Sequence, residues 1–278
     1  MRSSASNFEV NVKRTVVSHF YNEEYLLPWW LNHHKKYFDH GIMINYASTD
    51  KSVNIIKTIC PTWNIVDSKN KHFSPRDVDL EVTMIESVID GWRVCLNTTE
   101  FLIGDYGYLN TFSEPCALHV PCYYFVDNLF PIRNEETLSY HVPLWDSIKT
   151  GLDISDTKVS RGYRSIHNHA ITYEDEGRHF SGTNSTDKFV IFNYGFAPMT
   201  EKFIDRKLQI QYKMTLQEKI RNSGFQHYDG KNPDGLTRNK LLQWYKEYNL
   251  CNELITDKPV HGRSIDLTGK IHHFTEML

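Results

Sequence analysis

The sequence contains no apolar run that approaches the roughly 20 residues needed to cross a bilayer, and its five cysteines include no Cys-x-x-Cys pair. An odd cysteine count without such a pair argues against a disulfide framework and against a thiolate zinc site. The formal net charge of -3 gives no electrostatic indication of nucleic-acid binding. Residues 1–7 are polar and lack the apolar segment of a signal peptide. We therefore expect a cytoplasmic protein with reduced thiols, no transmembrane segment and no nucleic-acid partner.

The sequence does contain a regular alternation of strand and helix patterns over its first hundred residues. The predicted strands are 15–20, 41–45, 63–66 and 92–96. The predicted helices are 24–37, 52–59 and a third that begins at Ser74-Pro75 and ends before Gly91. Such alternation with short connections predicts an α/β fold, a mostly parallel sheet flanked by helices. The 278 residues suit one such domain with an appended piece.

Polar side chains follow all four predicted strands. The clusters are Tyr21-Asn22-Glu23, Asn45 to Asp50, Asp67-Ser68, and Asn97 to Glu100. Ligands of open parallel sheets bind beyond the carboxyl ends of the strands. Because these ends meet at one edge, the sequence predicts a site where the four clusters converge.

The second half of the chain shows weaker patterns. Predicted strands are 117–120, 123–126 and 188–194, and predicted helices start after Thr200, Thr215 and Thr237. Residues 161–180 are rich in His and Arg. His167 and His169 would share one face of a strand, which is compatible with a metal pair, a substrate contact or a structural role. The pairs His33-His34 and His272-His273 are expected on the surface, and Trp29-Trp30 in the core.

Three motifs point to a family. They are S-H-F-Y-N-E-E-Y-L-L-P-W-W-L-N-H-H, I-N-Y-A-S-T-D-K-S, and the strand that ends before T-E-F-L. In order and spacing they resemble the family 2-like glycosyltransferases of GT-A fold. The resemblance covers residues 15–104 and is looser from Arg161 to His227. It implies a GT-A, Rossmann-like domain over residues 1–228 and a C-terminal helical extension over residues 229–278 packed on the same domain.

The resemblance also implies a nucleotide-sugar donor. The loop after the first strand lies along the base in such enzymes, and the acidic residue that ends the second strand contacts base or ribose. That second position is Asn45 here, so it can hydrogen-bond but carries no charge. The residues implied in donor binding are Phe20, Tyr21, Asn22, Glu23, Asn45, Ser48, Asp50, Asn97, Thr98 and Thr99.

The metal motif of that family departs from its usual form in this chain. The pattern D-x-D-E-F falls on Asn97 to Phe101, so both aspartates are absent and only Glu100 remains as a candidate metal ligand. Mg²⁺ and Mn²⁺ prefer carboxylate oxygens. We therefore expect weak or absent binding of Mn²⁺ or Mg²⁺. Glu100 could instead pair with a nearby arginine at the strand end.

Without a metal, another group must balance the charge of the diphosphate. Guanidinium groups suit phosphate oxygens, and the candidates for phosphate or acceptor contacts are Arg161, Arg164, His169, Arg178, Lys188 and His227. An inverting transfer also needs a general base near the acceptor hydroxyl. The candidate catalytic residues are Glu100, Asp127, His167, Glu174 and Asp175. For Asp79 and Glu81, a helix-dipole role and a functional role are both open.

The leading hypothesis is a glycosyltransferase that moves a sugar from a nucleotide-diphosphate-sugar donor to a hydroxyl of a glycan, lipid or protein. The alternative is a non-catalytic GT-A-like module that binds a glycan or a protein, which the absent aspartates favour. A sugar nucleotidyltransferase would need a Gly-rich, basic loop after the first strand. The acidic stretch Tyr21 to Glu24 argues against that third class.

Overall fold

The computed structural model describes residues 12–127, 132–152, 164–173, 176–179, 184–221, 228–229, 235–250 and 264–278. Its strands are β1 (Arg14–Phe20), β2 (His40–Asn45), β3 (Asn64–Asp67), β4 (Trp92–Cys95), β5 (Glu100–Gly104), β6 (Ala117–Val120), β7 (Cys122–Val126), β8 (Thr150–Leu152), β9 (Arg164–His167), β10 (Asn184–Ser185), β11 (Phe189–Phe196) and β12 (Ser264–Asp266). The first four strands lie within one residue of their predicted bounds. Strands β5, β8, β9, β10 and β12 were not anticipated by the sequence patterns.

The strands form two sheets. The larger has the order β10-β6-β9-β4-β1-β2-β3, and the smaller has the order β12-β8-β7-β11-β5. In the larger sheet β1 pairs in parallel with β2 and β4, and β2 pairs in parallel with β3. Strand β9 runs antiparallel between β4 and β6. The prediction of an α/β fold with a mostly parallel sheet is confirmed.

Eight α-helices lie in the described part of the chain. They are α1 (Leu27–His34), α2 (Ser52–Ile59), α3 (Pro75–Glu86), α4 (Leu144–Ser147), α5 (Glu201–Gln209), α6 (Leu216–Ile220), α7 (Arg238–Leu250) and α8 (Thr268–Thr275). None of the helices in the described ranges is long and apolar enough to cross a membrane. The predicted helix 24–37 is shorter in the structure, and the one predicted after Thr200 ends at Gln209 before a 3₁₀ turn, Ile210–Tyr212.

Hydroxyl side chains begin four of these helices, as predicted, and at the start of α7 Thr237 Oγ1 accepts from Lys240 N at 3.3 Å. Ser74 Oγ accepts a hydrogen bond from Asp77 N at 3.4 Å. Thr200 Oγ1 accepts from Phe203 N, and Thr215 Oγ1 accepts from Glu218 N, each at 3.2 Å. These contacts satisfy backbone donors that the first turn of a helix leaves free. The loop before β4 turns at Gly91, whose φ of 83° favours glycine.

Side chains of α1 cap the open edge of the smaller sheet. Strand β5 is at that edge, and Trp30 Nε1 donates to Glu100 O at 2.9 Å. His33 Nε2 donates to Leu102 O at 2.8 Å, while His34 Nε2 accepts from Leu102 N at 3.2 Å. His34 Nδ1 donates to Trp30 O. The expectation that both histidines lie on the surface was wrong, because α1 packs against β5 and buries them.

The C-terminal segment joins the smaller sheet. Strand β12 pairs antiparallel with β8, and Ile271 and Phe274 of α8 pack in the main core. The segment predicted as a helical extension therefore contains a strand as well as helices. The domain division at residues 228 and 229 stays a prediction.

Candidate functional site

The carboxyl ends of the parallel strands meet at one edge of the larger sheet, which we call the carboxyl edge. In the strand register Phe20 lies beside Asn45, and Asn45 lies beside Asp67. The end of β4 is on the other side of β1, where Cys95 pairs with Val17. The structure thus brings together the four polar clusters that the sequence places after these strands.

The loops after β1 and β2 are joined by hydrogen bonds. Asn22 has a left-handed backbone with φ of 50°, and its Oδ1 accepts from Thr49 N at 2.7 Å. Ser48 Oγ accepts from Asn22 N at 3.0 Å. Asp50 Oδ2 accepts from Glu24 N at 3.0 Å. The predicted donor-binding residues Asn22, Ser48 and Asp50 therefore hold each other's loops in a fixed geometry.

Asn45 and Tyr21 complete this part of the carboxyl edge. Asn45 is half-buried, accepts from Ser48 N at 2.9 Å and donates to Asp67 Oδ1 at 3.0 Å. The Nζ of Lys213 lies 4.3 Å from the centroid of the Tyr21 ring and donates to Tyr46 O. Their half-exposed side chains are available to a ligand, so their predicted contacts with a donor stay predictions.

Several predicted donor contacts need correction because the side chains are buried. Phe20 packs in the main core and is 1% exposed. Thr98 and Thr99 are also buried. Glu23 is buried and forms an ion pair with Arg206 of α5. Asn97 is the half-buried member of the stretch 97–100.

Glu100 forms a buried ion pair with Arg164. Arg164 donates from Nε to Oε2 at 2.9 Å and from Nη2 to Oε1 at 2.8 Å. Asn97 donates its backbone N to Oε2 and its Nδ2 to Oε1, at 2.9 and 3.0 Å. Each carboxylate oxygen thus accepts two hydrogen bonds, which fills the positions that a cation would use.

The electrostatics of this pair favour the ionised carboxylate. Burial alone would raise the pKa of Glu100, but the charge and hydrogen bonds of Arg164 outweigh it and lower the pKa below its ordinary value. The stabilisation from this pair is therefore present above the ordinary carboxyl pKa and is lost as the pH falls below it.

A second guanidinium lies at the same strand end. Arg178 Nη2 donates to Asn97 Oδ1 at 2.7 Å, and its Nη1 donates to Asp79 Oδ1 at 3.0 Å. Asp79 also accepts from Gly177 N at 2.7 Å, and Gly177 O accepts from Arg164. Burial raises the pKa of Asp79, while Arg178 and the Gly177 amide oppose that rise. Asp79 therefore fastens the loop that carries Arg178 to the end of β4.

His19 was missed by the sequence reasoning. It lies on β1 beside the carboxyl edge, and its ring packs against Tyr46 at 6.0 Å. Burial, followed by the charges of Arg178 and Arg164, lowers the pKa of His19 well below its ordinary value. The ring is therefore neutral at pH 7, and both guanidiniums are close enough to disfavour its charged form. A signal was available in the sequence, since His19 stands next to the carboxyl end of the predicted strand 15–20, where the polar cluster begins.

The structure separates the predicted catalytic residue His167 from the carboxyl edge. His167 pairs in register with Arg93, near the start of β4. It is fully buried, donates from Nδ1 to His169 O, and places Nε2 3.5 Å from Glu86 Oε1. Tyr173 donates to the other Glu86 oxygen at 2.6 Å. His167 therefore has a packing role and not the predicted catalytic one. His169 follows the end of β9 on the same side, and its carbonyl oxygen accepts the hydrogen bond from His167.

The remaining candidates fall in other places. Asp127 at the end of β7 accepts from Arg133 at 2.7 and 2.8 Å and from Met199 N at 3.1 Å. Lys188 directly precedes β11 and lies near Gly104, the last residue of β5. Glu100 is at the other end of that strand. Arg161, Glu174, Asp175 and His227 lie outside the described residues. Asp127 as a general base stays a prediction.

The residues at the end of β4 do not fit a divalent metal. The oxygens of Glu100 are occupied by Arg164 and Asn97. The guanidiniums of Arg164 and Arg178 would repel a metal cation at this strand end. In the described part of the chain, no group of three or more His, Cys, Asp or Glu side chains is arranged to hold a metal ion. What the arrangement offers instead is positive charge from two guanidiniums, of which Arg178 contacts the half-buried Asn97.

No known protein family matches this sequence, and no curated protein matches it. Among solved structures, S. aureus TarS 1–349 is similar at 13% identity over 72% of this chain and 65% of that one, with a TM-score of 0.39. TarS 1–349 in complex with UDP-GlcNAc is similar at 12% identity over 72% and 66%, with a TM-score of 0.38. Glucosyl-3-phosphoglycerate synthase from Mycobacterium tuberculosis, in complex with Mn²⁺, UDP and glucosyl-3-phosphoglycerate, is similar at 13% identity over 42% and 45%, with a TM-score of 0.30.

This chain thus spans less than two thirds of the length of each of these structures. All three TM-scores are below 0.5. The likeness by itself therefore establishes neither a common fold nor a common activity.

Proposed function

We propose that this chain is a glycosyltransferase that takes a nucleotide-diphosphate-sugar donor at the carboxyl edge and transfers the sugar to a hydroxyl without a divalent metal. The observation that carries the proposal is that four polar strand ends meet at one edge of the sheet, where Arg178 contacts Asn97 and Arg164 contacts Glu100. The resemblance of residues 15–104 to family 2-like glycosyltransferases supports the same reading.

The first two loops would receive the nucleoside. Tyr21 follows β1, and Asn45 ends the neighbouring strand β2. Both are half-buried, and they offer an aromatic face and an amide for a base or ribose. The bonds among Asn22, Ser48 and Asp50 hold these loops in place before a ligand arrives. Fixed polar groups lower the cost of ordering on binding.

The diphosphate would lie at the end of β4. Arg178 holds Asn97, the half-buried residue of that stretch, through Nη2. A phosphate oxygen that replaces Asn97 Oδ1 would receive the same charge-assisted hydrogen bond. Arg164 would act one step behind, because its guanidinium is bound to Glu100 and to Gly177 O and so positions the loop of Arg178. A hydroxyl acceptor also requires a general base within hydrogen-bond reach, for which Asp127 and Asp175 are the carboxylate candidates.

The test is thermal unfolding with a panel of nucleoside diphosphates and their sugars, each with Mn²⁺ and with EDTA. One nucleotide should stabilise the protein by about 2.7 kcal/mol at 100 times its dissociation constant, and EDTA should leave the shift unchanged. Arg178→Gln should abolish the shift. Arg238→Gln is the matched control, because Arg238 forms an exposed pair with Glu201 on another part of the surface.

The outcomes separate the alternatives. A shift that requires Mn²⁺ contradicts metal independence but keeps a donor site. No shift with any nucleotide contradicts the transferase and favours a non-catalytic GT-A-like module that binds a glycan or a protein. The burial of Thr98, Thr99 and Glu100 is the observation that favours this second candidate.

A variant with restored aspartates tests the metal directly. In Asn97→Asp/Thr99→Asp, the new carboxylates face a strand end already occupied by Glu100 and two arginines. We expect no gain of Mn²⁺ binding by isothermal calorimetry, because the arginines would pair with the carboxylates instead. A measurable Mn²⁺ site in this variant would show that the backbone still has the geometry of a metal site.

A further inference from the structure

Helix α3 is apolar on two opposite sides. Its inner side packs against the larger sheet, with Val78 and Val82 buried in a small core cluster. Its outer side carries Leu80 and Met84, and Val88 follows in the turn after the helix. These three side chains, which we call the outer stripe, are 55%, 68% and 82% exposed. A surface helix normally has polar residues opposite its core face, so the fold of one chain does not account for the outer stripe.

The outer stripe is continuous. Its members are four residues apart, a spacing that places side chains on the same side of a helix. The helical turn continues past the end of α3, since Val88 N donates to Ile85 O at 3.3 Å. A rise of 1.5 Å per residue gives the stripe a length of about 12 Å. Contiguous exposed apolar side chains mark surfaces that bind another molecule.

The two ends of the outer stripe carry opposite charges. Arg76 is one helical turn before the stripe, and Asp90 is two residues after it. Both side chains are exposed, and within the described ranges neither of them forms an ion pair. Lys71 and Asp77, which are also exposed near the first end, balance each other. The surface is therefore positive at one end, apolar in the middle and negative at the other end.

We propose that the outer stripe is the contact surface of a homodimer, in which two copies of α3 pack antiparallel about a two-fold axis. Leu80 of one copy would lie against Met84 of the other, and Arg76 would face Asp90 at both ends. Such a contact is self-complementary, because the two-fold axis makes each contact twice. The inference goes beyond the proposed function, since it concerns the face of α3 that is turned away from the larger sheet.

The charges favour this occupant over two others. An anionic membrane surface would repel the exposed carboxylates of Asp77 and Asp90, which lie at the two ends of the stripe. Parallel packing of two copies would place Arg76 beside Arg76 and Asp90 beside Asp90, which is unfavourable. Antiparallel packing pairs opposite charges at both ends and sets each helix dipole against the opposite end of the other.

The first experiment is sedimentation equilibrium of the wild-type protein at low salt and at concentrations up to about 1 mM. A seam between two helices is a small interface, below about 1,200 Å² in total. We therefore expect a monomer–dimer equilibrium with a dissociation constant of about 1–100 μM. Met84→Glu places a carboxylate in the middle of the seam and should weaken the dimer by about 10-fold or more.

Ile220→Glu is the matched control for Met84→Glu. Ile220 lies on α6 and is 75% exposed, so this variant adds the same charge at an apolar position outside the stripe. It should leave the dissociation constant unchanged. Because both positions are exposed, both variants should unfold at the wild-type temperature, which circular dichroism checks.

Charge reversal tests the antiparallel arrangement. In Arg76→Asp both ends of the stripe are negative, and in Asp90→Arg both are positive, so each variant alone should dimerise about 10-fold more weakly at low salt. A mixture of the two variants brings opposite charges together at both ends and should form a heterodimer. The double variant Arg76→Asp/Asp90→Arg should recover the wild-type dissociation constant, because each end again meets its opposite.

Three results would overturn the proposal. The first is a wild-type protein that stays monomeric over the whole concentration range. The second is a dimer that Met84→Glu leaves intact, which would place the interface elsewhere. The third is a loss of dimer in Arg76→Asp or Asp90→Arg that the double variant does not restore, since that loss would not come from an antiparallel charge pair.

Discussion

Replacing Arg164 by methionine is expected to lower the free energy of unfolding by about 3–5 kcal/mol, the usual cost of removing one partner of a buried ion pair. Glu100 would keep its hydrogen bonds from Asn97 but would lose both from Arg164. Its side chain has no exposed surface, so water cannot replace the guanidinium. Denaturant titration at pH 7 measures the change.

The double variant Arg164→Met/Glu100→Met separates the pair from the rest of the packing. It removes both charges, so it should unfold with a free energy closer to the wild-type value than Arg164→Met does. Arg238→Met, which breaks an exposed pair with Glu201, should have little effect. If Arg164→Met is as stable as this control, the ion pair does not hold the end of β4.

The second large effect is expected in acid. Burial lowers the pKa of His33 from 6.5 to about 4, although its hydrogen bond to Leu102 opposes the shift. The folded protein therefore resists a proton that the unfolded chain accepts. The stabilisation is fully present above pH 6.5 and is lost as the pH falls towards 4. Between pH 7 and pH 4 this histidine should reduce the free energy of unfolding by about 3 kcal/mol.

The measurement is denaturant unfolding at a series of pH values for the wild type and His33→Gln. Glutamine keeps an N–H donor for Leu102 but does not titrate. Between pH 7 and pH 4 the free energy of unfolding of the variant should therefore fall by about 3 kcal/mol less than that of the wild type. His272 is the control, because it is exposed on α8, and His272→Gln should leave the pH dependence unchanged. Equal slopes for wild type and His33→Gln would contradict the buried, neutral histidine.

The first four strands and the carboxyl edge could be predicted because their signals are local. Each strand of the larger sheet up to β4 is an apolar run followed by a polar cluster, and the order of the chain places those clusters together. Helix starts at Ser74, Thr200 and Thr215 were readable for the same reason, since a capping side chain contacts a backbone N–H only a few residues away.

The chemistry of the site could not be predicted in the same way, because its contacts join distant parts of the chain. Glu100 and Arg164 are 64 residues apart, and Asp79 meets Arg178 across 99 residues. Asp79 alone looks like an ordinary acidic residue near the start of a helix. Only the antiparallel insertion of β9 beside β4 places Arg164 at the strand end, and no periodicity in the sequence specifies that pairing.

His33 and His34 show a related limit. Consecutive positions of a helix point in different directions, so a helix with one buried face normally leaves at least one of two adjacent histidines exposed. Here both are used, since one binds the carbonyl and the other the amide of Leu102. The sequence could not indicate this, because the helix meets a strand that lies almost 70 residues farther along the chain.

The side-chain cap on β5 also covers an edge on which another chain could add a strand. An uncovered edge strand presents a row of free amides and carbonyls on which another chain can add a strand, a common route to aggregation. Trp30, His33 and His34 occupy those groups on β5. A proton on His34 Nε2 would turn the acceptor for Leu102 N into a donor and uncover that amide. Helix α1 therefore covers backbone groups of β5 that would otherwise be open to a strand of another chain, and protonation of His34 would expose one of them.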